Sequence, residues 1–156
     1  MEITLRPAVP TDADAVAEVY LASRKGFVAF APLAHTDAEV KQWITHGLIP
    51  SGQVTVAVQG QQVIGMMATS SEDGSNWIEH LYLAPVFTGL GIGAQLLAQA
   101  KAELGPPLRL YTFQENAGAQ RFYERHGFRA IGFSDGADNE EKCPDVLYEW
   151  DASVGE

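Results

Sequence analysis

Glycines at positions 89, 91 and 93 stand between a run that reads as a strand and one that reads as a helix, in Leu81-Tyr82-Leu83-Ala84-Pro85-Val86-Phe87-Thr88-Gly89-Leu90-Gly91-Ile92-Gly93. Residues without a Cβ let backbone approach a ligand closely, and the unpaired N–H groups that open a helix attract an anion. The chemistry this turn suits is the grip of a phosphate. A tight strand-to-helix turn that binds nothing is the plain alternative. A P-loop is excluded, because no Gly-Lys-Ser/Thr follows. A dinucleotide-binding unit fits poorly, because the turn comes after a hairpin and no acidic residue closes the next strand. The single cysteine, Cys143, leaves no disulfide partner and no thiolate cluster for a metal.

The elements around the turn follow from periodicity and punctuation. Ile3 to Arg6 reads as a first strand, and Thr11 with Asp14 as a capping box for a helix with Val16, Val19 and Tyr20 on one face. Thr36 with Glu39 opens a second helix, with Val40, Trp43 and Ile44 inward and Gly47 closing it. Gln53 to Val58 turns at Gly60-Gln61 into Gln62 to Thr69, a hairpin; a polar turn, Ser70 to Ser75, leads to the strand Trp77 to Leu83. Ile92, Leu96, Leu97, Ala100 and Leu104 make one helical stripe, stopped at Gly105-Pro106-Pro107. Leu108 to Phe113 is a further strand, and Asn116 caps a helix carrying Ala119, Phe122, Tyr123 and His126 up to Gly127. Phe128 to Phe133 and Val146 to Trp150 close the chain. The unit from Trp77 to Phe113 predicts a parallel strand pair with a right-handed crossover, and the hairpin predicts antiparallel neighbours. The expected fold is a mixed, mostly antiparallel α/β (α+β) sheet of six to seven strands with a central parallel pair and four helices on its faces.

The 156 residues, 46% of them apolar, suit one domain spanning 1–156. Ten Lys and Arg against twenty Asp and Glu give a net charge of −10. Phosphate neutralisation needs clustered cations, so nucleic acid is not an expected partner, and a cationic one is favoured. No apolar run reaches the ~20 residues of a membrane span, and the N-terminus lacks a signal-peptide pattern. With its lone cysteine, the chain is expected to be cytoplasmic, neither exported nor anchored.

Three stretches resemble the GNAT superfamily of acetyl-CoA-dependent N-acetyltransferases. Thr88-Gly89-Leu90-Gly91-Ile92-Gly93 is similar to the family's acyl-CoA pyrophosphate motif, Gln/Arg-x-x-Gly-x-Gly/Ala, with Thr88 in place of Gln or Arg. Asn116-Ala117 through Phe122-Tyr123 to Gly127-Phe128 resembles the second signature, and Leu5-Arg6-Pro7-Ala8 with Asp12-Ala13 resembles the first strand and turn. The resemblance extends over nearly the whole chain. It implies acetyl-CoA as co-substrate, held by Leu81, Leu83, Thr88, Gly89, Leu90, Gly91, Ile92, Gly93, Ala94, Asn116 and Tyr123, and no metal.

Acetyl transfer to an amine also needs a proton acceptor, because an alkylammonium titrates near ~10.4. Glu79 is one candidate, expected on the apolar side with Leu81 and Leu83, where burial raises a carboxyl's pKa; His80, pointing the other way, is the second, and a water chain the third. An exposed carboxylate paired with a surface base is the ordinary reading of Glu79. The resemblance assigns thioester polarisation to a backbone N–H near Leu83, and protonation of the departing thiolate to Tyr123. Packing in the core explains Tyr123 otherwise, and N-capping explains Asn116.

The acceptor carries no motif. It is expected to be a small-molecule amine, or a peptide or protein amine, bound between the early helices and the loop from Ser134 to Asp145. His35, Phe27, Phe30 and Trp43 lie on that side, although aromatics there are more often core. Ser23, Arg24 and Lys25 equally suit an acidic acceptor such as an amino acid. A non-catalytic CoA-binding sensor or partner domain is the alternative function. The last strand's alternating Val146, Tyr148 and Trp150 fit either a homodimer edge or a strand buried within one monomer.

Overall fold

Alternation around Val54 sorts side chains onto two faces, and the computed structural model, which describes residues 2–27, 34–72 and 74–151, shows what each face meets. Strands β1 (Thr4–Pro7), β2 (Val54–Gln59), β3 (Gln62–Glu72), β4 (Ser75–Leu83), β5 (Leu108–Phe113), β6 (Arg129–Ser134) and β7 (Asp145–Trp150) form one sheet, ordered β1-β2-β3-β4-β5-β7-β6. Every neighbouring pair is antiparallel except β4 and β5. Helices α1 (Ala13–Phe27) and α2 (Asp37–Trp43) cover one face, and α3 (Ile92–Leu104) and α4 (Ala117–Arg125) the other. The expected mixed sheet with its central parallel pair and four helices is the one observed.

Two cores result. Val54, Val56 and Met66 pack with Val16, Val19 and Tyr20 of α1 and Val40 of α2. Ala57, Met67, Ile78 and Leu110 pack with Ile92, Leu96 and Leu97 of α3 and Tyr123 of α4. Met66 and Met67, adjacent in the chain, serve opposite cores, as a strand's pleat requires. Burying an apolar side chain of this size contributes about 1.5–3 kcal/mol, so the pattern holds both helix pairs to the sheet.

Local expectations fail where tertiary contacts outweigh them. The Thr11–Asp14 box does not form. Pro10–Asp12 is a 3-10 turn in which buried Asp12 accepts from Val9 N–H at 2.8 Å and from both Arg6 guanidinium nitrogens at 2.8 and 3.0 Å. Such charge-assisted bonds are about twice as strong as a hydroxyl cap. The Thr36–Glu39 box does form, each residue's N–H donating to the other's side chain at 2.8 and 3.1 Å. Gly47 does not end that helix. The chain continues through a π turn (Ile44–Leu48) and a 3-10 turn (Ile49–Ser51) to Gly52 at φ 78°. Burial of Ile44 and Ile49 outweighs the roughly 1 kcal/mol that a helical glycine costs. The expected turn over Ser70 to Ser75 is mostly ladder, with Ser70 opposite Trp77 and Glu72 opposite Ser75. Strand β7 lies between β5 and β6, so its alternation is that of an interior strand and not of an edge awaiting a second chain.

Candidate active site

β4 and β5 share two rungs, Asn76 with Leu108 and Trp77 with Arg109. Beyond them each strand follows its outer neighbour, β4 staying with β3 as far as Leu83 and β5 with β7 as far as Phe113. The bend originates at Glu79. Thr69 pairs with Ile78 and Ala68 with His80, so Glu79 is an extra residue, a β-bulge that re-aims the strand. Gly65 makes room for Leu83, since a Cβ there would stand 2.6 Å from Leu83 Cδ2. Ala84 N–H donates to the Ile64 carbonyl at 2.9 Å. The two-residue alternation of an antiparallel ladder therefore turns the backbone groups of Leu81 and Leu83 away from β3, into the gap.

The glycine turn lies beyond the end of β4. Gly89 and Gly91 adopt φ of 78° and 83°, left-handed values that strain any residue with a Cβ. Gly91 caps α3, whose first intrahelical bond runs from Gln95 N–H to Gly91 O at 3.1 Å. The amides of Ile92, Gly93 and Ala94 thus open the helix with no carbonyl partner inside it, the arrangement that holds an anion. A Cβ on Gly93 would meet Phe122 Cζ at 3.2 Å, so this glycine sets how closely α3 approaches α4. Thr88 turns its hydroxyl back to donate to Pro85 O at 2.9 Å. It braces the turn, and the anion site rests on backbone.

A cavity of about 560 Å³ runs from this turn into the gap and is lined by Leu81, Leu83, Thr88, Gly89, Gly91, Gly93, Ala94, Asn116 and Tyr123. Leu90 and Ile92 do not line it: Leu90 is half exposed, and the Ile92 side chain is wholly buried in the core. Asn116 Oδ1 accepts from Ala119 N–H at 3.1 Å, capping α4 and leaving Nδ2 as the donor for a ligand. Tyr123 is buried among Phe122, Phe128 and Tyr148. Burial, with Tyr82 adding to it, pushes its pKa up, so the phenol keeps its proton.

A second cavity, of about 960 Å³, opens on the α1–α2 side and shares Arg24, Glu79, His80, Tyr82 and Phe113 with the first. The rings of Tyr20, Trp43, His80 and Tyr82 pack there with centroids 4.9–5.9 Å apart. His80 Nδ1 is buried and has no hydrogen-bond partner. Burial, then the charge of Arg24, pushes its pKa down to about 4, which keeps the ring neutral. Glu79 is not on the apolar side. The bulge removes it from the alternation shared by Leu81 and Leu83, and it is exposed, accepting from Ser70 Oγ at 2.9 Å. It still borders both cavities.

Arg24 is 5% exposed, pairs with Glu141 at 3.0 Å and lies 5.6 Å over the Phe113 ring, so it ties α1 to β5 and to the β6–β7 loop. Its charge is paired within the protein. Lys25 likewise pairs with Asp37 at 2.8 Å. His35 and Trp43 line the second cavity, while Phe30 and the Phe27 side chain lie outside the described residues. Tyr82 was not singled out from sequence, and neither was the structural use of Arg24. The available signal was spacing, because Arg24 falls four residues after Tyr20 and eight after Val16, on the buried stripe of α1. Among the described residues, no group of His, Cys, Asp and Glu is arranged to hold a metal, and no helix is long and apolar enough to cross a membrane.

Residues 50–130 match the family model for the acetyltransferase (GNAT) domain. Among solved structures, the chain is similar to apo-form YjaB from Escherichia coli, with 23% identity and a TM-score of 0.79 over 100% of both chains. It is also similar to PaiA N-acetyltransferase from Thermoplasma acidophilum in complex with coenzyme A, with 22% identity and a TM-score of 0.76 over 97% of this chain and 99% of that one. Ard1 from Thermoplasma volcanium gives 18% identity and a TM-score of 0.73 over 96% and 97%. At these identities the likeness is one of fold. None of the curated proteins compared with the chain matches it.

Proposed function

Because this chain belongs to the GNAT acetyltransferase domain family, we propose that it transfers an acetyl group from acetyl-CoA to a primary amine, of a small molecule or of a peptide, by direct attack in a ternary complex. The observation that carries the proposal is the meeting of two cavities at the β4–β5 gap, one reaching the open amides of α3 and the other reaching solvent past α1 and α2. Neither is lined by Cys143, the sole cysteine, so no thiol stands ready to carry the acetyl group. The likeness to a structure holding coenzyme A supports the first cavity as the cofactor side. Its lone cysteine supports a reducing cytoplasm as the place of work.

The residues divide the work. The amides of Gly91 to Ala94 hold the pyrophosphate, and the backbone of Leu81 and Leu83 aligns the pantetheine arm as an added strand would be aligned. The Leu83 N–H stabilises negative charge on the thioester oxygen as the amine adds. The C–N bond forms and the C–S bond breaks, Tyr123 protonating the departing sulfur and regaining its proton from water.

The amine must lose a proton before it attacks. Moving a proton from an alkylammonium near ~10.4 to an imidazole at about 4 is uphill by roughly 9 kcal/mol, too much for His80 to act as sole base. His80 instead accepts a hydrogen bond from the neutral amine, and the proton leaves through water to Glu79 and solvent. A non-catalytic CoA-binding domain would bind the ligand equally but release no thiol.

The test pairs binding with turnover. Acetyl-CoA at 100 times its Kd should stabilise the fold by about 2.7 kcal/mol, whereas ATP should not, and an amine should bring acetyl-CoA-dependent thiol release. Stabilisation without release from any amine leaves the binding-domain reading; no stabilisation removes both.

A further inference from the structure

The imidazole that is to accept a hydrogen bond from the amine is itself enclosed by rings. His80 Nδ1 is closed to solvent and has no hydrogen-bond partner, so Nε2 is the nitrogen that can reach a ligand. From α1 the imidazole meets Tyr20, with centroids 5.7 Å apart, and the charge of Arg24; from α2 it meets Trp43 at 5.1 Å. Along its own strand it meets Tyr82 at 5.9 Å, and Ala68 stands opposite on β3. Two carboxylates that line the outer cavity with it are committed elsewhere, Glu79 to Ser70 at 2.9 Å and Glu141 to Arg24 at 3.0 Å. Burial first, and Arg24 second, therefore set the proton affinity of His80.

The three rings do not enclose it equally. Tyr20 is buried and Tyr82 partly so, whereas Trp43 is 39% exposed and packs edge-on to both His80 and Tyr20 while lining the outer cavity. Local structure fixes its place. Trp43 ends α2, and the π turn Ile44–Leu48 that follows leads Ile44 and then Ile49 into the core while the indole stays at the rim. Such turns insert an extra residue into a helix and recur at functional sites. Gly47 seats the indole, since a Cβ there would lie 3.5 Å from Trp43 Cδ1. We infer that Trp43 is a positioning residue for acetyl transfer: seated on the π turn and edge-on to His80, its indole keeps bulk water off the imidazole, so that Nε2 stays an uncharged hydrogen-bond acceptor for the attacking nitrogen. This rests on the transferase reading of the same site. A solvated imidazole titrates near ~6.5, and once protonated both its nitrogens are donors and its charge repels an ammonium.

The experiment compares the parent with Trp43→Ala, which opens the cover, and Trp43→Phe, which keeps an aromatic edge. NMR of histidine-labelled protein follows the imidazoles against pH, and His80→Phe identifies the His80 signal. His80 is expected to titrate at about 4 in the parent and in Trp43→Phe, and to move toward ~6.5 in Trp43→Ala. Turnover is read as acetyl-CoA-dependent thiol release with the fastest member of a panel of n-alkylamines and short peptides, at saturation. Relative to its value at pH 8, kcat at pH 6 should fall about fourfold further in Trp43→Ala than in the parent, the loss set by protonating an imidazole that titrates near ~6.5, and Trp43→Phe should restore the parent's profile. Circular dichroism and the stabilisation by acetyl-CoA check that each variant is folded. An unmoved His80 titration in folded Trp43→Ala, or a moved titration with the parent's kcat profile, overturns the inference and leaves the transferase standing. Release with none of the amines in the parent, while acetyl-CoA still stabilises it, overturns the transferase reading and this inference with it.

Discussion

The cofactor side of the β4–β5 gap is built from backbone held by local geometry, and the acceptor side from side chains held by distant partners. Gly89, Gly91 and the first amides of α3 lie within a few residues of one another. Arg24 and Glu141, which tie the two walls of the acceptor cavity, are 117 positions apart in the chain. A site made of neighbouring amides survives changes in the rest of the molecule. One made of remote side chains can be reshaped by any of the elements that bring them together. The difference implies that damage to the acceptor side registers as lost stability, and damage to the cofactor side as lost ligand response.

The largest effect should follow Arg24→Met, which leaves Glu141 partly buried and uncompensated; breaking such a pair costs about 3–5 kcal/mol, readable as a lower denaturation midpoint with unchanged slope. Next is pH. His80 is held at about 4 when folded and titrates near ~6.5 when unfolded, so between these values the unfolded chain binds the additional proton. Its contribution is complete above pH ~6.5 and declines as pH falls toward 4, by roughly 3 kcal/mol in all. His80→Phe should flatten that part of the stability profile, and an unchanged slope would mean that the ring is not buried as described.

On the cofactor side, Gly91→Val places a β-branched residue at φ 83° and should abolish the stabilisation of about 2.7 kcal/mol expected of the parent with acetyl-CoA at 100 times its Kd. Tyr123→Phe keeps the packing and removes the acid, so kcat should fall about a hundredfold with the acetyl-CoA shift intact. Full turnover in that variant would assign Tyr123 to the core alone. The smallest effect belongs to Lys25→Ala, whose exposed pair with Asp37 is worth under about 0.5 kcal/mol. A larger loss there would show that acceptor-side stability extends beyond the Arg24–Glu141 tie.

The contrast also explains which features were legible in the chain. The Thr36–Glu39 box, the Asn116 cap and the tight glycine turn each depend on residues within one helical turn or one strand, and all three stand in the structure as read, as does the buried face of α1; Trp43, expected inward on α2, is instead exposed. A single parallel pair among antiparallel neighbours was legible from the hairpin and the strand-helix-strand unit, whereas the strand order, with β7 between β5 and β6, was not. Resemblance added the ligand, because no local pattern says which phosphate a turn will hold.

Glu79 marks where that reading stops. Alternation placed it beside Leu81 and Leu83, but a bulge is a property of two strands, and the residue that becomes extra is decided by how β3 pairs with β4. The Thr11–Asp14 box lost to Asp12 for a similar reason, since its competitor, Arg6, comes from β1. The lining of the outer cavity needed the whole fold, because Glu39, Asp138 and Asp145 come from α2, a loop and β7. Short-range pattern dictates elements through backbone geometry and periodic burial, which act over a few residues. The bulge, the ion-pair tie and the meeting of the two cavities arise from contacts across the chain, and only packing brings those together.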